Sequence, residues 1–214
     1  MKKYLLPQIN QYTETVILAK GDFPTHAIPL SVLHKAKYIV CCDGAINNLL
    51  DNTDILPNAI VGDCDTLTPY NQERFKDIIH RMKEQDTNDL NKAVNFCIKQ
   101  GRTKITILGA TGKREDHTIG NISLLSEYMK YADVEMITNH GSFVAIKENS
   151  TFECYPKQQV SMFCLDRCHI TTHNLLYAVE NRIFDSWWQA TLNEATSNEF
   201  GIDTDGRTIV YRLF

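Results

Sequence analysis

The sequence predicts an α/β N-terminal domain with a doubly wound, mostly parallel sheet, spanning residues 1–140, followed by an all-β sandwich over residues 141–214. Three observations carry this expectation. Short apolar runs near residues 14–19, 38–42, 59–62, 104–108 and 134–138 alternate with stretches of helical spacing, the pattern of repeated βαβ units. Several of these runs end in Asp or Gly just before a helix starts, as strands do in an open sheet that binds ligands at one edge. Beyond about Asn139 the texture changes to short alternating segments, FVAIKE, STFECY, QVSMFCL and TIVYRLF, which read as antiparallel β structure.

Composition narrows the function class. With 214 residues, 43% hydrophobic and 22% charged, the chain is long enough to bury a core and does not read as disordered. A net charge of −4 argues against a general nucleic-acid or membrane-surface binder, so any phosphate site must be local. The seven cysteines include no CxxC pair and read as buried thiols in a reducing compartment. The N-terminal apolar run is broken at Pro7 and Gln8, too early for a signal peptide, and no run is long enough to span a bilayer. The expected location is therefore cytoplasmic.

Taken in order, ETVILA is a buried strand and Lys20-Gly21-Asp22 a turn, with a helix from Pro29 to about Ala36. YIVCC is a second strand ending in Asp43-Gly44, where the carboxylate either contacts a ligand or caps the following helix. The third strand runs into AIVGDCDT. In an extended segment Asp63 and Asp65 point to the same side, so both carboxylates can address one hard cation; Asp65 could equally cap a helix starting near Pro69. PYNQERFKDIIHRM has helical spacing at Phe75, Ile78, Ile79 and Met82, and the polar KEQDTND leads to the helix LNKAVNFCIKQG, closed by Gly101. Asp86 and Asp89 lie where that helix begins, a place that favours negative charge in any case.

KITIL is the fourth strand, opening into GATGKREDHTIGNISLL. Gly109 and Gly112 leave backbone N–H groups open, and Lys113 and Arg114 add charge directly before a helix that reaches about Tyr131, a loop suited to phosphates. It is not a Walker A loop, having GxxGK without a following hydroxyl. Asp116 and His117 serve a ligand or cap the helix, and Asn121 shares their face. VEMIT is the fifth strand. The scattered histidines show no metal-ligand spacing, HITTH included, since that segment reads as β.

The ordered series CDGAINNLL, VGDCDTL, QDTNDLNKA, GATGKREDHTIGNISLL and TSNEFG resembles the thiamine pyrophosphokinase family over nearly the whole chain. The resemblance implies transfer of the pyrophosphoryl group of ATP to the hydroxyl of thiamine, in a homodimer with the thiamine site at the interface. It implies Mg²⁺ on Asp63 and Asp65 with Asp89 completing the metal or phosphate surroundings, and ATP phosphates on Arg114 and the backbone of residues 109–113. It further implies that Asp43, Gly44, Asn47, Asp86, Asn88, Asp116, His117 and Asn121 line the nucleotide and thiamine side, and that Ser197 and Asn198 reach thiamine from the β domain. Two positions depart from the family pattern: Asn88 stands where threonine is usual, and Cys64 where an aromatic is common. Neither removes a carboxylate.

Two other functions share these residues. One is pyrophosphoryl transfer to another hydroxyalkyl heterocycle such as a pterin, against which the TSNEF segment speaks. The other is a non-catalytic nucleotide or thiamine sensor, which would not need Asp63, Asp65, Asp89 and Arg114 together. Trp187 and Trp188 add an aromatic option for a thiazolium cation. If they lie in a strand they face opposite ways, so at most one stacks on a ligand, and packing in the sandwich is the expected role of each.

Overall fold

A computed structural model describes residues 1–82, 84 and 86–214. Lys83 of the KEQDTND segment and Gln85, which opens the QDTNDLNKA motif, lie outside the described residues. The chain forms two units, Ile9–Asn139 and a second made of Met1–Gln8 together with His140–Phe214.

The first strand, β1 (Lys2–Tyr4), belongs to the second unit. The α/β unit then runs β2 (Thr13–Leu18), α1 (Ala27–His34), β3 (Ala36–Cys42), α2 (Ala45–Asn52), β4 (Ala59–Gly62), α3 (Pro69–Arg74), β5 (Ile79–Arg81), α4 (Asp89–Lys99), β6 (Lys104–Leu108), α5 (Glu115–Tyr128) and β7 (Asp133–Ile137). Its strands lie in the order β7-β6-β2-β3-β4-β5, and every pair is parallel. Val16, Ile17, Leu18 and Val40 are fully buried, as expected of central parallel strands covered on both faces. The chain winds outward from β2 to β5, then returns to place β6 on the other side of β2. The carboxyl ends of β2 and β6 therefore flank the point where the strand order reverses, the usual ligand crevice of such a sheet.

Within the α/β unit the segment after β4 differs from the sequence reading. The helix expected over residues 69–82 stops at Arg74; residues 76–78 make one 3₁₀ turn and residues 79–81 become β5. Thr68 caps α3 by accepting from the Asn71 N–H at 3.2 Å. The free edge of β4 pairs with the β-branched Ile79 and its successors, and this pairing overrides the helical spacing.

The second unit is a β sandwich built from β8 (Gly141–Ile146), β9 (Ser150–Glu153), β10 (Gln159–Cys164), β11 (His169–His173), β12 (Arg182–Ile183), β13 (Asn193–Glu194), β14 (Glu199–Thr204) and β15 (Thr208–Leu213). One sheet has the order β1-β9-β14-β11-β12, and the other contains β13-β10-β15-β8. Phe152, Ile170, Phe200, Ile202, Val160 and Val210 are among the buried side chains that form its core. Phe152 stacks on Phe200 at 4.8 Å and on Tyr4 at 5.1 Å between ring centroids. HITTH is a strand, as the sequence indicated.

The first eight residues fall in this sandwich, whereas the sequence reading grouped them with the α/β domain. β1 pairs in parallel with β9, and Arg212, which is 1% exposed, fastens the segment further by donating to the carbonyls of Tyr4 (3.3 Å), Leu5 (2.9 Å) and Glu153 (2.8 Å). No local signal in MKKYLL announces a partner some two hundred residues away. Arg212→Met, which keeps most of the side-chain volume, leaves these carbonyls without that donor. At about 1–3 kcal/mol per buried acceptor left unsatisfied, the sandwich is expected to lose about 3 kcal/mol or more. A lowered urea midpoint together with faster proteolysis at the N-terminus would register it.

Trp187 and Trp188 do not lie in a strand. They start a 3₁₀ turn, Trp187–Ala190, closed by a capping box between Ser186 and Gln189, and they are 50% and 74% exposed. The packing role expected of each is thus not what the sandwich gives them, apart from an edge contact of Trp187 with Phe163 at 6.1 Å. The reason is local: the box turns the chain before either indole can reach the core.

Candidate active site

The carboxyl ends of β3 and β4 bring together an acidic group. Asp43, Asp63 and Asp65 each offer an oxygen, and these oxygens lie within 4.8 Å of one another. Asp43 follows β3 in a left-handed conformation, φ 39°, and is 4% exposed. It does not cap α2, whose N-cap is Gly44 without a side-chain bond. One Asp43 oxygen, Oδ2, accepts from the Thr66 hydroxyl, while Oδ1 is buried with no hydrogen-bond partner among the described residues. An orphaned buried carboxylate oxygen is costly unless something positive meets it.

Asp63 and Asp65 converge for a different reason from the one the sequence suggested. The strand ends at Gly62, and Cys64 turns the chain at φ 62° with its thiol buried. The Asp65 N–H then donates to Asp63 Oδ1 at 3.2 Å, so a tight turn rather than a strand pleat sets the pair on one side. Asp65 does not cap α3; Thr68 does. The Asp63 carboxylate beside it raises the Asp65 carboxyl above its ordinary value, with partial burial and Asp43 adding to the effect.

Asp89 borders this group without being one of the three. It is the first residue of α4, and Gly62 separates it from Asp43: a Cβ at Gly62 would stand 2.9 Å from Asp43 Cβ and 3.3 Å from Asp89 Oδ1. Burial raises the Asp89 carboxyl, opposed chiefly by the charge of Lys92, whose ammonium lies 3.3 Å from Oδ1. Oxygen-only carboxylate donors, one of them orphaned and buried, fit a hard divalent cation such as Mg²⁺.

Beside the acidic group the α/β unit has a cavity of about 320 Å³, and Lys20, Lys113, Arg114, Asn88, His117 and Asn121 contribute to its wall. After β6 the chain passes through Gly109, Gly112 and Lys113 with φ of 65°, 76° and 59°. The turn after β2 is fastened to this loop: the N–H groups of Gly21 and Asp22 donate to the carbonyls of Gly109 (2.6 Å) and Thr111 (2.9 Å), and Lys113 Nζ donates to the Lys20 carbonyl at 3.0 Å. Arg114, the N-cap of α5, makes no side-chain cap bond; in the first turn the His117 N–H donates to Asp116 Oδ1 at 2.9 Å, while the helix start still favours negative charge. Three cationic side chains at the wall suit a polyphosphate.

Arg114 is held ready by its neighbour. Its Nε and Nη2 grip Asp116 at 3.0 and 2.5 Å, and this pairing keeps the Asp116 carboxyl at about 2. A carboxyl depressed in the folded chain stays ionised above the ordinary carboxylate range and loses its pairing only as pH falls through about 2, so the fork is intact at neutrality. Such a carboxylate is a weak general base. Asp116→Asn is expected to release Arg114 and tighten ATP binding by roughly threefold, the scale of a modest exposed ion pair. Titration with a fluorescent ATP analogue checks this; weaker binding would mean that Asp116 itself touches the ligand.

Asn88 links three elements. Its side chain caps α4 by accepting from the Asn91 N–H (2.9 Å) and donates to Asn121 Oδ1 (3.1 Å), while Asn121 Nδ2 reaches the Ala110 carbonyl (2.8 Å). The asparagine amide does this with separate atoms, its Oδ1 accepting and its Nδ2 donating. Asn47 accepts from Asn71 (3.0 Å), and Asp86 is exposed on the segment before α4. Ser197 and Asn198 belong to the sandwich, where Ser197 Oγ donates to the Glu199 carbonyl at 2.6 Å and the Asn198 carbonyl accepts from the Cys154 N–H at 3.0 Å. The sequence reading missed Lys20, Thr66 and Lys92. The turn at Lys20 carries no motif of its own, and only the position of Lys92 on the apolar arc of α4 marked it.

Fold and site together define an open α/β domain with an acidic, cation-seeking edge beside an anion-suited crevice, followed by a β sandwich. The chain belongs to the thiamin pyrophosphokinase family: the model of its catalytic domain matches residues 30–138 and that of its substrate-binding domain residues 141–211. It is 32% identical over 104 residues to thiamin pyrophosphokinase 1 of Caenorhabditis elegans, covering 45% of this chain and 42% of that one. To thiamine pyrophosphokinase 1 of Oryza sativa subsp. japonica it is 29% identical over 140 residues, covering 54% and 53%. The chain thus spans about half the length of the curated relatives it matches. Its fold is similar to that of thiamin pyrophosphokinase from Candida albicans, with a TM-score of 0.81 at 17% identity over 100% of this chain and 92% of that one.

Proposed function

We propose that this protein is an ATP-dependent thiamine pyrophosphokinase, converting thiamine and ATP to thiamine diphosphate and AMP. The observation that carries the reading is the convergence of Asp43, Asp63 and Asp65 within 4.8 Å beside a cavity walled by Lys20, Lys113 and Arg114, all in the chain of a family with that name. The thiamine hydroxyl attacks the β-phosphorus, the new O–P bond forms as the bond to the α,β-bridging oxygen breaks, AMP leaves and the hydroxyl proton is released.

Asp63 and Asp65, with Asp43 beside them and Asp89 at the border, would hold Mg²⁺. Bound there, the ion supplies charge neutralisation to the phosphates. The chain's own contribution is positioning and further neutralisation, which this class of transfer mainly requires. Arg114 and Lys113 hold phosphate oxygens, the loop amides of residues 109–113 add fixed donors, and Asn88 with Asn121 keeps α4, α5 and that loop in register. Gly44, Asn47, Asp86 and His117 complete the nucleotide and thiamine side, while Asp116 holds Arg114 beside it. Ser197 and Asn198 meet thiamine from the sandwich, across the interface of a homodimer. Among the described residues no helix is long and apolar enough to cross a membrane. The seven cysteines are free, six of them buried, which suits the reducing cytoplasm.

The test is product analysis by chromatography after incubation with ATP, Mg²⁺ and thiamine. Thiamine diphosphate with equimolar AMP, lost without metal and in Asp63→Ala, is the expected result. ADP with thiamine monophosphate would move the attack to the γ-phosphorus, turnover with a pterin but not thiamine would change the acceptor, and thiamine binding without product would leave a sensor.

A further inference from the structure

Lys92 is 3% exposed, a burial that lysine seldom reaches unless it is paired. It sits on α4 among Leu90, Ala93, Val94, Phe96 and Cys97, all buried, and α4 packs on β4, β3 and β2. An apolar side chain there would avoid the cost of desolvating an ammonium. The ammonium donates to Asp89 Oδ1 at 3.3 Å. The two residues are three apart on the helix, so they face each other along one flank. Lys92 is buried while the Asp89 side chain remains 36% exposed, so the lysine grips the carboxylate from the interior side. The gripped oxygen is the one that borders Gly62, next to Asp43.

We propose that Lys92 is a positioning residue: its buried ammonium anchors Asp89 and sets that carboxylate at the border of the acidic group, where it completes the surroundings of the divalent cation. Groups that orient a metal's ligands commonly change metal affinity by about 10- to 100-fold when removed. The inference rests on the metal reading of the acidic group given above. A purely structural lysine would support the helix and leave cation binding alone.

The experiment measures Mn²⁺ binding to the full chain without nucleotide, from the electron paramagnetic resonance signal of the free ion. Wild type, Lys92→Met, Lys92→Arg, Asp89→Asn, Asp63→Asn and the Asp89→Asn/Lys92→Met double variant are compared, each checked for folding by circular dichroism. Lys92→Met is expected to weaken Mn²⁺ binding about 10-fold, Lys92→Arg to restore most of it, and Lys92→Met to add no loss in the Asp89→Asn background. Unchanged or tighter binding in folded Lys92→Met, or a full further loss in the double variant, overturns the proposal. Should Lys92→Met not fold, Lys92→Gln, which keeps a polar chain but loses the charge, decides: it must weaken Mn²⁺ binding when Asp89 is present and not in Asp89→Asn. Wild type that binds no Mn²⁺, or binds it equally well in Asp63→Asn, defeats the metal reading itself and this proposal with it.

Discussion

Asp63→Asn is expected to lower kcat/KM by on the order of 10³ with the fold intact, since aimed charge at developing phosphate charge is worth several kcal/mol. The substitution is chosen for what it preserves. Asp63 Oδ1 accepts the Asp65 N–H at 3.2 Å, and an asparagine oxygen can accept the same bond, so the turn through Cys64 keeps its shape. What disappears is one of three carboxylates whose oxygens lie within 4.8 Å. Removing it also relieves the neighbour that raises the Asp65 carboxyl, so folding stability is expected to hold or rise slightly. Steady-state rates across a Mg²⁺ series, with a thermal melt alongside, check both halves. Loss of activity with a normal melt and partial recovery at high Mg²⁺ is the expected pattern; full activity would remove Asp63 from the site.

The second large effect is expected at Gly21, through packing rather than charge. A Cβ there would stand 2.3 Å from the Thr111 carbonyl oxygen and 2.4 Å from that of Gly109, both backbone atoms that cannot step aside singly. In Gly21→Ala the turn after β2 must therefore part from the loop after β6. The bonds between them, including Gly21 N–H to Gly109 at 2.6 Å and Asp22 N–H to Thr111 at 2.9 Å, stretch or break. At about 1 kcal/mol each, with strain added, the α/β unit is expected to lose about 2–4 kcal/mol. Lys20 and Lys113 move with these segments, so ATP affinity falls on the order of 100-fold. Calorimetric melting and an ATP titration measure the two effects; an unchanged melt with wild-type affinity would contradict the close approach.

Much of this arrangement could be read in the residues before any coordinates. KITIL is a strand over the expected residues, and AIVGDCDT does end in paired carboxylates at a strand mouth. These elements are local, since an apolar run and a turn residue are enough to define them. The α3–β5 segment was misread because its helical spacing is real, but pairing with the edge of β4 outweighs it. The β1 strand was invisible because three residues with no pattern are fixed by distant partners, through pairing with β9 and through Arg212 from the far end of the chain. Within the site, motif residues were legible one by one, yet their grouping was not. Asp43 rather than Asp89 joins Asp63 and Asp65, because register between β3 and β4, with the Asp43 N–H donating to the Val61 carbonyl at 2.9 Å, decides which carboxylates meet. Lys20 enters through a turn with no chemical signature. Lys92 did leave a trace, as a charge four residues before Phe96 and three after Asp89 on an otherwise apolar arc.

In the proposed function the acidic group and the cationic crevice together move a pyrophosphoryl group. The most direct measurement follows the β-phosphorus itself, by incubating the protein with β-labelled ATP, Mg²⁺ and thiamine and locating the label after separation. Label in thiamine diphosphate, with unlabelled AMP in equal amount, is the result the account predicts. Label remaining in ADP would show that only the terminal phosphoryl group moves, and would contradict it.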